Sequence, residues 1–434
     1  MSVRSQIRRM STKLPTHNPY FKLSGKDIWT LINETAAQAE ADTGKKVVNL
    51  GQGFFSYSPP PFAIQAAKDA LDNPMANQYS PSRGRPSLVQ ALSRTFSPFY
   101  GRTLTPDEIA VTTGANEGMF SCFVGFLEPE DEVIVFEPFF DQYIPNIELA
   151  GAKVVYAQIH PPKDFDTRTV DGDEWFIDFE ELESKITAKT KMIVLNSPHN
   201  PIGKVFTREE LLKIGELAIK HNLLIISDEV YENLYYKKHI RVATLSPEIG
   251  ERTLTIGSAG KSFAATGWRI GWVIGSEKLV PYVTAAHTRI CFSSPSVFQE
   301  AVGSAFDQAL TNGYFEKTRQ EYLHKYAIFT KVFEELGLPY TKAEGGYFLL
   351  VNFKKVNVPE DYEFPPDFQT RAKDFRLAYW LIREFGVVSI PPSEFYLEEH
   401  THVVEDCLRF AVCKDDHLLE EAVERLRGLS KYIN

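Results

Sequence analysis

The feature that most constrains the fold is a pattern repeated between residues 108 and 262. A short, apolar, β-branched run stops each time at a small or polar turn. Such runs stand at 108–113, 132–136, 191–195, 223–226 and 253–256, with helical spacing between several of them. Near-continuous apolar strands are buried on both faces, so the pattern predicts α/β architecture with a mainly parallel sheet covered by helices. Parallel strands bring their carboxyl ends to one edge, where sheets of this kind bind ligands. The turns at those ends supply Gly114, Ala115 and Asn116, then Phe140, then Asn196 and Asn200, then Asp228 with Tyr231, and last Ser258 with Lys261. Singly, each has an ordinary reading: helix start, core aromatic, turn asparagine, helix cap, exposed tyrosine, solvated lysine. Their shared placement predicts one cleft.

Two glycine patterns invite nucleotide readings. Gly260-Lys261-Ser262 matches the end of a phosphate loop, but Thr255 stands where the first glycine belongs, inside a strand run. Gly51-Gln52-Gly53 begins a dinucleotide fingerprint that fails at Ser56, although Gly53 still allows close approach of a ligand to the backbone. A P-loop-like nucleotide-binding protein is thus the rival from another functional class.

The chain of 434 residues is long enough for more than one domain, and its net charge of −10 argues against a general nucleic-acid binder. No apolar run is long enough to span a membrane as a helix. The cysteines 122, 291, 407 and 413 have neither Cys-x-x-Cys nor zinc-finger spacing, which points to buried thiols in a reducing compartment. The first 26 residues carry six Lys or Arg and no acid, as in a mitochondrial transit peptide, so a cytoplasmic or a mitochondrial location is expected. Helical spacing predicts helices over 27–41, 62–71, 296–310 and 314–336, and Thr207 with Glu210 reads as a capping box. Residues 163–173 read as an exposed acidic loop. Short strands are expected at 346–350 and 407–411.

A lysine, an aspartate, a tyrosine, an asparagine and an anion site are what pyridoxal phosphate requires. Lys261 would hold the aldehyde as a Schiff base and shuttle the proton, while Asp228 would pair with the ring nitrogen. Asn200 and Tyr231 would bond the ring hydroxyl, and Phe140 would stack on the ring. Ala115 and Asn116 N–H groups at a helix start, with Ser258 and Arg269, would hold the phosphate. Arg409 lies on an otherwise apolar run; a structural salt bridge is its commoner use, and a bidentate grip on a substrate carboxylate the other.

The motifs Asn196-Ser-Pro-His-Asn200-Pro201, Ser227-Asp228-Glu229-Val230-Tyr231, Ser258-Ala-Gly-Lys261-Ser262 and Gly267-Trp268-Arg269-Ile270-Gly271 resemble those of the class I aminotransferases of fold type I. Gly51-Gln-Gly53-Phe54, Asn77-Gln-Tyr79 and Glu137-Pro-Phe-Phe140-Asp141 resemble the kynurenine/glutamine transaminase branch, and its fungal kynurenine aminotransferases in particular, across 27–430. The resemblance implies a large domain over 56–312 with a seven-stranded sheet, a smaller α+β domain over 313–434, an arm over 18–55 that joins it, and a tail over 1–17. It also implies a homodimer in which Tyr79 crosses to the partner's phosphate site, with Trp29, Gly53, Asn200, Phe292 and Arg409 facing the substrate. The implied reaction moves the amino group of kynurenine, or of another aromatic or glutamine-like amino acid, to a 2-oxo acid. β-Elimination from cysteine conjugates is the near alternative. Ser293 and Asn116 depart from the animal branch, which carries histidine and tyrosine there.

Overall fold

The computed structural model describes residues 26–433 together with Thr16, Asn18, Tyr20 and Phe21, so the tail expected over 1–17 lies outside the described residues apart from Thr16. Along the chain, the central sheet takes Ile109–Thr112 (β1), Glu132–Glu137 (β2), Lys153–His160 (β3), Phe176–Ile177 (β4), Thr190–Asn196 (β5), Leu224–Asp228 (β6), Thr253–Ser258 (β7) and Gly271–Ile274 (β8). Their order across the sheet is β1-β8-β7-β6-β5-β2-β3-β4. Strands β3, β2, β5, β6 and β7 are parallel, and β8 is antiparallel to both of its neighbours, so β1 runs with the parallel set. The expected seven strands become eight among the described residues, because the two-residue β4 adds an antiparallel edge.

The apolar runs behave as two-sided strands. In β2, Val133 and Val135 enter one core while Ile134 and Phe136 enter the core on the opposite face. The strand β3 escapes the pattern because it lies toward the sheet edge, with several half-exposed residues. The stretch 163–173 is not the exposed loop expected. Phe165 and Val170 are buried, Phe165 packs edge-on to Trp175 at 5.2 Å, and Val170 pairs with Thr341. Burial of those two side chains outweighs the charge around them.

The first helix, Ile28–Thr43, is capped by the Asp27 side chain, which accepts from the Thr30 N–H, and closes at Gly44 with φ +68°. Its buried face, with Val48 and Leu50, joins one apolar cluster with residues between Tyr322 and Leu429. The expected helix over 314–336 is present as Tyr314–Leu336, and the Thr207–Glu210 capping box starts the helix Arg208–Lys220. Phe348–Asn352 and Cys407–Ala411 form an antiparallel pair with Leu350 opposite Arg409. The Gly51–Gly53 loop and Arg409 are therefore carried by the same core. No helix among the described residues is long and apolar enough to cross a membrane.

Candidate active site

β7 ends at Ser258 and turns into the four-residue helix Ala259–Ser262, which carries Lys261 over the strand ends. The lysine is not a solvated surface group. Its Nζ donates to Tyr347 Oη at 2.7 Å, and Tyr347 Oη donates to the Gly53 carbonyl at 2.9 Å. Burial pushes the ammonium down to about 8, against the opposing pull of Cys413 and Asp228. Thr255 is buried in mid-strand, so no glycine loop precedes Lys261 and the phosphate-loop reading fails.

Asp228 closes the neighbouring β6. It is buried and accepts from Tyr143 Oη at 2.5 Å and from the Val230 N–H at 3.3 Å. Burial raises its pKa to about 6, and the tyrosine bond restrains the rise. Asn196, at the end of β5, locks the two strand ends together. Its Nδ2 donates to the Asp228 carbonyl at 3.0 Å, and its Oδ1 accepts the Asn200 N–H at 2.8 Å. Tyr231 is buried, which pushes its phenol up, and its ring meets Tyr347 edge-on at 5.2 Å.

The side expected to bind an anion lies where β1 runs into the helix Ala115–Phe126, whose first N–H groups have no partner within the helix. Gly114 makes the turn at φ +80°, and a Cβ there would lie 2.5 Å from Arg269 Nη2. Glycine is needed for both reasons, since the conformation is left-handed and the guanidinium fills the space. Arg269 donates to the Thr266 carbonyl at 3.0 Å, and Asn116 Oδ1 accepts from Asn146 Nδ2 at 2.8 Å. Ala115, Asn116, Phe140, Asn196, Asn200, Asp228, Tyr231, Ser258, Lys261 and Arg269 line one cavity of about 190 Å³. An opening of about 530 Å³ beside Arg102 and Glu108 lies by the amino ends of β1 and β7, at the opposite edge of the sheet. The strand-end residues singled out from the sequence line the smaller one.

Arg409 is the group whose role the sequence left most open. It is 2% exposed, and among the described residues it has no acidic partner within salt-bridge distance. Nη1 donates to Asn200 Oδ1 at 3.2 Å, Nη2 donates to the Gly51 carbonyl at 3.0 Å, and the buried Nε is unpartnered. The guanidinium lies 4.3 Å from the Phe348 ring centroid and 4.9 Å from that of Phe395. Desolvation pushes it down to about 10, with Tyr231 and Asp141 opposing. The structural salt bridge expected as its commoner use is absent among the described residues. Trp29 lies 5.9 Å from the guanidinium and donates Nε1–H to Asp141 Oδ2 at 3.2 Å. A Cβ on Gly53 would come within 2.9 Å of Phe348, so only glycine fits that approach.

Two expected site residues stand apart from this cavity within the chain. Tyr79 is 84% exposed and Phe292 is 57% exposed, and their rings meet edge-on at 5.4 Å. Two contributors escaped sequence reasoning altogether. Tyr143 starts a short helix and shows no motif, and Tyr347 reads as one more aromatic of an apolar strand.

The model of the family described as aminotransferase class I and II matches residues 45–426. The chain is 59% identical over 439 residues to a Saccharomyces cerevisiae protein named "Probable kynurenine--oxoglutarate transaminase BNA3", covering 99% of each. It is 36% identical to a Dictyostelium discoideum protein named kynurenine–oxoglutarate transaminase, over 99% of this chain and 100% of the relative. The crystal structure of Bna3p from Saccharomyces cerevisiae superposes with a TM-score of 0.96 at 60% identity, covering 97% of this chain and all of the other. Enzymes of this family depend on pyridoxal phosphate, use amino and 2-oxo acids and are generally dimeric. A lysine, an aspartate and an anion cradle converging at one sheet edge agree with a match of that length: the chain belongs to the class I and II aminotransferases and is a transaminase.

Proposed function

We propose that this transaminase holds pyridoxal 5′-phosphate in the 190 Å³ cavity and moves the amino group of L-kynurenine to a 2-oxo acid such as oxoglutarate. Other aromatic or glutamine-like amino acids are further donors, and the oxo product of kynurenine closes to kynurenic acid. The names of the relatives supply the donor and acceptor. The observation that carries the amino-acid reading is Arg409, a buried guanidinium with no acid of its own, joined to the cavity through Asn200.

The donor set fits the cofactor. When bound, pyridoxal phosphate supplies an aldehyde for the lysine amine and a ring that withdraws electrons from the substrate α-carbon. Lys261 Nζ moves a proton at that carbon, and burial leaves part of its amine neutral near physiological pH. Asp228, buried and oriented by Tyr143, would accept from a ring N–H. Asn200 commits its Oδ1 to Arg409, so its Nδ2 remains to donate to a ring oxygen beside Tyr231. Phe140 covers the ring, while the Ala115 and Asn116 N–H groups, Ser258 and Arg269 bind the phosphate. Arg409 grips the substrate carboxylate, with Trp29 and Gly53 at the rim.

The exposed Tyr79–Phe292 pair favours a homodimer in which these two rings complete the partner's site. The apolar cluster that merges Ile28–Leu50 with Tyr322–Leu429 supports the division into an arm over 18–55, a large domain over 56–312 and a small domain over 313–434. The basic, acid-free composition of the first 26 residues supports a cytoplasmic or mitochondrial location, or both. The purified protein should show a visible absorption band that L-kynurenine bleaches and oxoglutarate restores, with release of kynurenic acid. Lys261→Ala should lose the reactive band. A colourless protein, or one that makes no kynurenic acid, overturns the reading, and pyruvate from cysteine conjugates would reveal β-elimination.

A further inference from the structure

Outside the cavity, three ligating side chains converge where the helix Val280–Ile290 ends against the first turn of Ala115–Phe126. His287 and Cys291 stand one helical turn apart, and Glu117 faces them. One ligand atom from each lies within 4.8 Å of the other two. His287 Nδ1 is 2.9 Å from Glu117 Oε2 and 3.3 Å from Cys291 Sγ. Zinc bonds of about 2.0–2.3 Å at tetrahedral angles separate neighbouring ligands by roughly 3.3–3.6 Å. The two contacts made by His287 therefore need to open by only a few tenths of an ångström to admit a cation, and the Glu117–Cys291 pair lies within 4.8 Å.

The surroundings are built as they are around metal ligands. Glu117 Oε1 accepts from Ser121 Oγ at 2.5 Å, and Oε2 accepts the Thr113 N–H at 2.8 Å, which fixes the carboxylate. Thr113 Oγ1 lies 3.3 Å from Cys291 Sγ and 3.1 Å from Ser294 Oγ, an oxygen available as a fourth ligand. His287 is fully buried, whereas Cys291 is half-buried and borders an opening of about 770 Å³ that also touches Tyr79 and Ser293. A cation can enter from that side, where Cys291 and Thr113 both line the opening. None of these three side chains contributes to the transamination geometry described above.

We propose that Glu117, His287 and Cys291 form a binding site for a thiophilic divalent cation of the zinc type, with water or the Thr113 hydroxyl as fourth ligand. On binding, the Cys291 thiol releases its proton to solvent and coordinates as the thiolate. Occupancy joins the end of Val280–Ile290, and hence Phe292, to the turn before Ala115.

The test uses metal-depleted holoenzyme titrated with zinc against a chromophoric chelator, and with cadmium to read the thiolate-to-metal charge-transfer band in the ultraviolet. The expected result is one equivalent per chain and a cadmium band. Cys291→Ala should lose the band and weaken zinc binding by more than about 100-fold, because even a partner outside the coordination shell is worth about 10–100-fold. Ser121→Ala, which removes only the bond behind Glu117, should weaken it by about 10-fold. His287→Gln should reproduce the loss should Cys291→Ala fail to fold. Absence of the band in the unmodified enzyme overturns the site. So does equal zinc affinity in a Cys291→Ala enzyme with an unchanged circular dichroism spectrum.

Discussion

Arg409→Ala is the substitution on which the substrate reading stands or falls. The guanidinium is buried and has only neutral partners, Asn200 Oδ1 and the Gly51 carbonyl, among the described residues. Nε has none, and two aromatic rings exclude water from its faces. A carboxylate arriving there forms charge-assisted bonds that water does not screen. Truncating one partner of a buried, hydrogen-bonded charge pair costs about 2–5 kcal/mol. That corresponds to about 30- to 5,000-fold in kcat/KM, and the burial of Arg409 places it in the upper part, at about 400-fold or more. Steady-state kinetics with an amino acid donor should show the loss, mostly in KM, while the visible cofactor band of the purified variant persists. The same variant should be no worse than the unmodified enzyme toward the decarboxylated amine, which has no group for Arg409 to hold. An equal penalty on that amine, or parallel loss of cofactor, refutes the assignment. Arg409→Met sharpens the test, because it removes a buried charge that has no ionic partner, which is costly to keep in an apolar site, while retaining an unbranched apolar side chain. The cofactor-free Met variant should melt no lower than the unmodified protein although its activity is lost.

Three further outcomes follow from the cofactor side. Tyr143→Phe removes the 2.5 Å donor to Asp228, a bond to a charged group worth about 1.5–3 kcal/mol, and should lower kcat about 10- to 100-fold; an unchanged kcat and pH–rate profile counts against a role for Tyr143. Gly114→Ala forces a Cβ to 2.5 Å from Arg269 and strains a left-handed residue by about 1–3 kcal/mol, so cofactor affinity measured by equilibrium dialysis should fall by about 10-fold or more, and full affinity would show that Arg269 does not define the cradle. In the cofactor-free protein, native Asp228 keeps its proton up to about pH 6, whereas the unfolded chain releases it near about pH 4. The native state binds more protons across that window, so the carboxyl costs stability as the pH rises through it, by up to about 3 kcal/mol. Asp228→Asn should therefore outlast the unmodified protein in urea at pH 7 and lose that advantage near pH 4; a pH-independent difference contradicts the raised pKa.

The parts of the molecule that were legible from sequence are those governed by a local rule. Two-sided burial makes β2, β5, β6 and β7 continuous apolar runs, and parallel strands must end together, so Asn196, Asp228 and Lys261 could be placed in one cleft before any coordinates. The strand β8 hides within the Gly-Trp-Arg motif, and β3 hides because its exposed positions break the run. Tyr143 and Tyr347 act through contacts across 85 and 86 positions of chain, to Asp228 and Lys261 respectively, and no spacing rule reaches that far. For Arg409 the residue type on an apolar strand announced something costly, but whether an acid neutralises it is a question about what the fold brings alongside. The tail over 1–17 belongs to neither group, since apart from Thr16 it lies outside the described residues.

The same division explains why the cofactor side of the site is legible and the substrate side is not. Lys261, Asp228 and Asn196 sit on the ends of neighbouring strands of one sheet, and their separation is fixed by strand pairing. Arg409, Gly53 and Tyr347 are carried by the core that joins Ile28–Leu50 to Tyr322–Leu429, and they meet the sheet edge through packing and long-range hydrogen bonds that no strand register fixes. The Lys261–Tyr347–Gly53 chain of hydrogen bonds, at 2.7 and 2.9 Å, joins the sheet edge to that core. On the proposed reading, a substrate held at its carboxylate by Arg409 and worked on by Lys261 would be sensitive to the relative placement of the sheet edge and that core. Differences in donor preference can therefore arise from residues that never touch the donor. Such residues lie in the contact between the sheet edge and the second core, where Tyr231 packs against Tyr347 and Phe348.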